Sequence, residues 1–189
     1  TNSLCTSSDI INVNFHDLPA VDAGNDLLVC KGSGVQLSAS GTGNFSWTPV
    51  NLLNNASIYN PVATPLITTT FTVTLTDQYG CKKSDQVNVE VRIQPVADAG
   101  PDMTLNYRFD TIMNAQSGHP LGTNETGEWT VLSGTGVFSD INDPEATVSN
   151  LHLGENSYIW TVTNGACPVA SDTVYIVVND LIIPTLITP

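Results

Sequence analysis

The sequence predicts an all-β chain of tandem antiparallel β-sandwiches, and three observations carry that expectation. Apolar and polar residues alternate with period two in several short runs. Gly, Pro and Asn turn signals separate those runs. A segment made of Cys, then Ser-Asp, then an alternating strand recurs at domain-sized spacing.

The strands can be justified one by one. In Thr70-Phe71-Thr72-Val73-Thr74-Leu75-Thr76 every second residue is apolar and the rest are Thr, which gives one face to a core and one to water. Val87–Val91 and Tyr158–Val162 read the same way. Turns are expected at Gly32-Ser33-Gly34, Gly41-Thr42-Gly43, Gly134-Thr135-Gly136 and Asp143-Pro144. No Ala/Leu/Glu/Lys-rich stretch carries a 3.6-residue period, so no helix is expected. The alternation also predicts the core. Val35 and Leu37 face Phe71, Val73 and Leu75, with Trp47 between the sheets and Val87, Val89 and Val91 opposite. Further on, Trp129 takes the Trp47 role, beside Tyr158, Trp160, Val162, Val174, Ile176 and Val178.

The repeated segment begins at Cys5, Cys81 and Cys167, spaced by 76 and 86 residues. Its strands are Ile10–Phe15, Val87–Val91 and Thr173–Val178. A second element follows the first two copies: Pro19-Ala20-Val21-Asp22-Ala23-Gly24-Asn25-Asp26 matches Pro95-Val96-Ala97-Asp98-Ala99-Gly100-Pro101-Asp102. Such a period is too long for a solenoid and suits a string of small sandwiches. It places the end strand of a preceding repeat and a linker at 1–18, complete sandwiches at 19–93 and 94–179, and a linker at 180–189. Units of this size have small cores, so extra bracing is expected.

Composition excludes several classes. Among 189 residues, 5 Lys and Arg face 18 Asp and Glu, a net charge of −13. That field repels nucleic acid and anionic membrane surfaces. With 41% hydrophobic and only 12% charged residues, the chain should fold rather than stay disordered. No apolar run approaches the roughly 20 residues of a membrane helix, so membrane insertion is not expected. Any signal peptide lies outside this sequence.

Candidate chemistry is sparse. His16, His119 and His152 fall in a linker or turn-rich stretches, and no Gly-x-Ser-x-Gly, His-Glu-x-x-His or phosphate-loop pattern occurs. The expectation is therefore a non-enzyme without a cofactor, with calcium the one ion to consider. Asp22 and Asp26, and Asp98 and Asp102, sit at repeat junctions, each set near the Ser-Asp of the preceding copy, and could supply oxygens to Ca²⁺. The same Asp-Ala-Gly-x-Asp chemistry also makes a turn with no ion. Asn44, Asn55 and Asn124 fit the Asn-x-Ser/Thr acceptor pattern, read as chance. Loops Asn51–Asn60 and Gly118–Gly127, at sandwich ends, could hold a glycan or protein ligand.

Several of these segments resemble the PKD-like and Ig-like repeats of giant surface adhesins from gliding Bacteroidetes. They are Asp22–Asp26, Ser46-Trp47-Thr48-Pro49 and Thr76–Cys81 in the first unit. In the second they are Glu128–Val131, Ser133–Gly136, Phe138-Ser139-Asp140 and Trp160–Gly165. The tail Ile183–Pro189 resembles the approach to a gliding-motility-associated C-terminal domain, the type B sorting signal for type IX secretion. The resemblance implies an exported, cell-surface stalk segment whose partners are neighbouring repeats and the type IX machinery. Such repeats also serve as spacers of exported hydrolases. It implies a disulfide between Cys30 and Cys81, closing a loop worth roughly 4 kcal/mol, with two free buried thiols as the alternative. On that pattern Cys5 has its partner before Thr1, and Cys167 would look for one near position 106, which is Asn. The resemblance further implies O-glycan acceptors at Thr111 and Thr173, in Asp-Thr-aliphatic triplets; the alternative is a plain strand Thr with its hydroxyl outward.

Overall fold

A computed structural model describes residues 7–118 and 124–180, and among them the chain is all-β. The single helical element there is a 3₁₀ turn at Val50–Leu52. Contacts divide the chain into two compact units. The first runs up to Leu27 and includes Gly34–Thr64 and Thr68–Val89; the second takes Leu28–Ser33, Pro65–Ile67 and everything from Glu90 onward.

Eight strands form in the first half: β1 (Val21–Asp22), β2 (Leu27–Cys30), β3 (Val35–Gln36), β4 (Ser40–Gly41), β5 (Asn44–Thr48), β6 (Val62–Ala63), β7 (Thr69–Thr76) and β8 (Lys82–Arg92). The main sheet runs β2-β8-β7-β5, with short β1-β4 and β3-β6 ladders. Strand β7 is the predicted Thr/apolar alternation: Phe71, Val73 and Leu75 are fully buried while the Thr residues between them are not. Antiparallel pairing sets Trp47 opposite Val73 and Phe71 opposite Val87. Leu37, Trp47, Val87 and Val89 are buried as expected. Val35 and Val91 are only half-buried. Val35 opens a two-residue ladder, and Val91 lies beyond the last β7–β8 pair, Thr69 with Val89.

The second half adds β9 (Ala97–Asp98), β10 (Met103–Asn106), β11 (Asp110–Ile112), β12 (Gln116–Ser117), β13 (Thr126–Ser133), β14 (Val137–Phe138), β15 (Thr147–Ser149), β16 (Gly154–Thr163) and β17 (Ala170–Asn179). Two sheets, β10-β17-β16-β13 and β11-β15-β14, enclose one core. Trp129, Tyr158, Trp160, Val162, Val174, Ile176 and Val178 are all in it, joined by Met113, Ala146, Val148 and Leu151. Trp129 stacks on Phe138 with centroids 5.6 Å apart and leans on Trp160 at 5.0 Å. Gly127 lies directly against the Trp160 ring, so even a methyl group there would force that ring to move.

The two Trp residues do play one role. Trp47 donates its backbone N–H to Ala56 O and its Nε1–H to Ile58 O. Trp129 donates the same two groups to Ile141 O and Asp143 O. Each indole is buried with its polar edge satisfied by a loop carbonyl, from the loop after β5 for Trp47 and from the loop between β14 and β15 for Trp129.

One expectation needs correction. The pairing is not antiparallel throughout: β10 runs parallel to β17, Met103 opposite Ile176 through Asn106 opposite Asn179. The chain enters the main sheet from the Asp-Ala-Gly turn in the direction in which its last strand leaves. Ile10–Phe15, expected as the last strand of a preceding repeat, is exposed and irregular in this chain. A strand needs a ladder partner for its N–H and C=O groups, and none pairs with it among the described residues.

Candidate functional site

The repeated polar residues converge on one construction, made twice. In the first unit Ala23 N–H donates to Asp85 Oδ2 at 2.8 Å, and Asn88 N–H donates to Asp26 Oδ1 at 2.8 Å. In the second, Ala99 N–H donates to Asp172 Oδ2 at 2.9 Å, and Tyr175 N–H to Asp102 Oδ1 at 2.9 Å. The Asp-Ala-Gly turn and the last strand of the same unit thus hold each other by reciprocal carboxylate–backbone bonds. These are charge-assisted and stronger than neutral ones. Asp22 and Asp98 fold the turn itself, each accepting the N–H of the Gly two residues on. Gly24 and Gly100 sit at φ of 84° and 83°, where a Cβ would strike the Ser38 or Asn114 carbonyl oxygen.

Electrostatics follow from the bonding. The N–H groups of Ala23 first, then Gln86, hold the Asp85 carboxyl below the usual carboxylate range, with a smaller contribution from Lys83. Ala23 is 1% exposed, so in the fold its N–H is satisfied by Asp85 rather than by water.

This places the four candidate calcium ligands. Asp22, Asp26, Asp98 and Asp102 each accept a backbone N–H, and no group of three or more His, Cys, Asp or Glu comes together among the described residues. The Ser-Asp partner is also different from the one expected. Asp98 and Asp102 belong with Asp172, not with the preceding copy's Asp85, because Ser84-Asp85 and Ser171-Asp172 lie within β8 and β17 and face the turn of their own unit.

The cysteine pairing is a correction. Cys30 is bonded to Cys167, with Cα atoms 4.7 Å apart, and Cys81 is free. Strand β8 explains why Cys30 cannot reach Cys81. Cys81 precedes its first residue, whereas Lys31 N–H donates to the carbonyl of its last, Arg92, at 2.7 Å. Ten steps of strand at about 3.3 Å separate those ends by roughly 33 Å, and a disulfide needs Cα atoms within about 7 Å. Residues 28–33 are counted in the second unit, so the bridge is internal to it. Cys5 lies outside the described residues.

The remaining candidates have plain positions. Thr111 is 7% exposed, its hydroxyl 3.7 Å from Met103 Sδ, while Ile112 beside it is 61% exposed. The hydroxyl therefore points inward, not outward. Thr173 is half-buried in β17 opposite Ile159. The Asn51–Asn60 loop is tied down by Asn54 and Asn55 side chains and by both Trp47 donors. Part of Gly118–Gly127, with His119, lies outside the described residues, as does the tail from 181 onward. His16 stacks on Tyr79 with ring centroids 3.7 Å apart.

One feature escaped sequence reading and a second was legible only in part. Asn156, fully buried, accepts the N–H groups of Thr135 and His152 and donates to His152 O, Gly154 O and Ile176 O, tying two loops to β17. Only its position in a Gly154–Ser157 run of small and polar residues hinted at it. A cleft of about 450 Å³ in the second unit is lined by Arg92, Glu125, Thr163, Asn164 and Gly165 among others, with Glu125 buried. Three of its lining residues, Asn124, Glu125 and Thr126, fall in the Gly118–Gly127 loop singled out from the sequence, whereas Arg92, Thr163, Asn164 and Gly165 carried no local signal.

No protein-family model matches the sequence, and no curated protein matches it. Solved structures do. The PKD domain of human KIAA0319 is 17% identical, over 47% of this chain and 84% of that one, with a TM-score of 0.42. Murine CEACAM1b is 13% identical over 82% and 96%, with a TM-score of 0.46. Dpr11 IG1 bound to DIP-gamma is 12% identical over 85% and 100%, with a TM-score of 0.45.

Proposed function

We propose that this chain is a non-catalytic stalk segment of an exported, cell-surface, multi-repeat adhesin, with repeats at 19–93 and 94–179. One observation carries the reading: the residues that recur are used to close the fold. Asp26, Asp85, Asp102 and Asp172 all hold backbone N–H groups of their own units. Each of these carboxylates is committed to its own unit's backbone, and no group of three or more His, Cys, Asp or Glu gathers into a ligand set among the described residues. The Cys30–Cys167 bond supports a mechanical role. Tension applied at the chain ends passes through that bond, and the residues from β3 to β16 lie in the closed loop, out of its path. Gliding motility and type IX export are the finer part of the proposal and rest on the resemblance of the repeats and of the 183–189 tail.

The test is a glycan array with a surface-binding assay on residues 19–179. A stalk segment binds nothing saturably. Saturable binding that survives substitution of exposed charged residues elsewhere would make the loops a ligand site and overturn the reading.

A further inference from the structure

We infer that Cys81 is half of a second disulfide of the Cys30–Cys167 type, closed by a cysteine one repeat upstream of Cys30; this rests on the repeat-array reading above. Cys81 and Cys167 are equivalent in structure as well as in sequence. Asp77 Oδ1 accepts Cys81 N–H at 2.9 Å, and Asn164 Oδ1 accepts Cys167 N–H at 3.0 Å; each cysteine closes the turn before its unit's last long strand. One of the two is bonded and the other is not.

The surroundings of the bonded cysteine show what delivers its partner. Cys30 ends a strand beside Arg92, and Arg92-Ile93-Gln94 runs against the Cys167 turn. Asn164 Nδ2 donates to Ile93 O at 2.6 Å and Gln94 Nε2 to Pro168 O at 2.8 Å. In the repeat, His16-Asp17-Leu18-Pro19 occupies the place of Arg92-Ile93-Gln94-Pro95. The His16 ring stacks on Tyr79, two residues before Cys81, at 3.7 Å and 11°. The same linker therefore lies on the same turn at Cys81.

The missing strand has a vacant place as well. Ile11, Val13 and Phe15 correspond to Val87, Val89 and Val91. Val87 and Val89 are buried, whereas Ile11, Val13 and Phe15 are 86%, 62% and 92% exposed. An alternating apolar face of that kind is completed by the body of its own repeat. The counterpart of Cys30 belongs on the strand that would pair with Phe15 and His16, four residues after the second Asp of an Asp-Ala-Gly-x-Asp turn. In the second unit that position is Asn106, so this chain offers one such cysteine, Cys30.

The bond forms by thiol–disulfide exchange with a donor disulfide. The Cys81 thiolate attacks a donor sulfur, and the upstream thiolate then displaces the donor. Two thiols lose two protons and two electrons, and the donor leaves as two thiols.

The experiment is peptide mapping of the full-length protein, alkylated with iodoacetamide while denatured and unreduced. The expected result is no alkylated Cys81 and a Cys81 peptide linked to a cysteine upstream of Thr1, four residues after such an Asp. If the upstream sequence carries that repeat and cysteine but Cys81 is alkylated or linked to Cys5, the disulfide inference is wrong and the array stands. If no such repeat precedes Thr1, the array reading falls and takes the inference with it.

Discussion

Asp85→Ala isolates the clasp. It removes the acceptor of Ala23 N–H, a donor 1% exposed and bonded at 2.8 Å. Leaving a buried N–H unpaired costs about 1–3 kcal/mol. For a unit of this size each kcal/mol lowers the melting midpoint by roughly 4–8 °C, so a cost of about 2 kcal/mol means roughly 8–16 °C. Asp85→Asn keeps an oxygen in place and loses the charge assistance, so it should cost less than half as much. The direction of the carboxyl's shift adds a pH signature. Because its value is lowered in the fold, its contribution is present above the unfolded carboxylate range near 3.9 and is lost as pH falls through the folded value. That acid dependence should shrink in Asp85→Asn. Calorimetry gives the midpoints, and amide exchange at Ala23 reports the locus, accelerating in Asp85→Ala. A midpoint shift no larger than the ~0.5 kcal/mol of an ordinary surface substitution, or Asn behaving like Ala, would refute the clasp.

Three further outcomes are expected. Asn156→Ala strips a fully buried side chain that serves five backbone partners, and should cost about 2–3 kcal/mol, read as a lowered urea midpoint with an unchanged slope. Burial pushes the Tyr158 hydroxyl up to about 12, so its contribution is complete below pH 10 and disappears as pH rises through 12; Tyr158→Phe should flatten urea unfolding across that range. Adding calcium or a chelator should leave both melting transitions in place, since the junction carboxylates already hold backbone N–H groups, and a calcium-dependent rise would assign Asp22, Asp26, Asp98 and Asp102 to an ion.

What the sequence disclosed was whatever repeats or alternates. Phe71, Val73 and Leu75 announce a half-buried strand because side-chain direction has period two, and the long-strand part of the core in both halves follows from it. The equivalence of Trp47 and Trp129 was legible for the same reason, and the loop carbonyls they bind confirm it. Pairing between distant residues was not legible. Nothing local states that Cys30 ends beside Arg92 at the far end of β8 from Cys81, so the analogy chose the wrong partner. The aspartates were recognised as recurring, but a carboxylate that accepts N–H groups and one that awaits a cation have the same spelling. Thr111 shows the limit of alternation in a three-residue strand, where the Thr faces inward and Ile112 outward.

The most direct test of a covalently braced stalk is to pull the 189-residue chain from its two ends. The bridge joins Cys30 to Cys167, so residues 1–30 and 167–189, 30 plus 23 or 53 in all, can extend. At about 3.6 Å per residue the oxidised chain should stop near ~190 Å, and the reduced chain, or Cys167→Ser, should reach ~680 Å. Oxidised and reduced chains extending to the same length would contradict the account, because tension would then run through the sandwiches rather than around them.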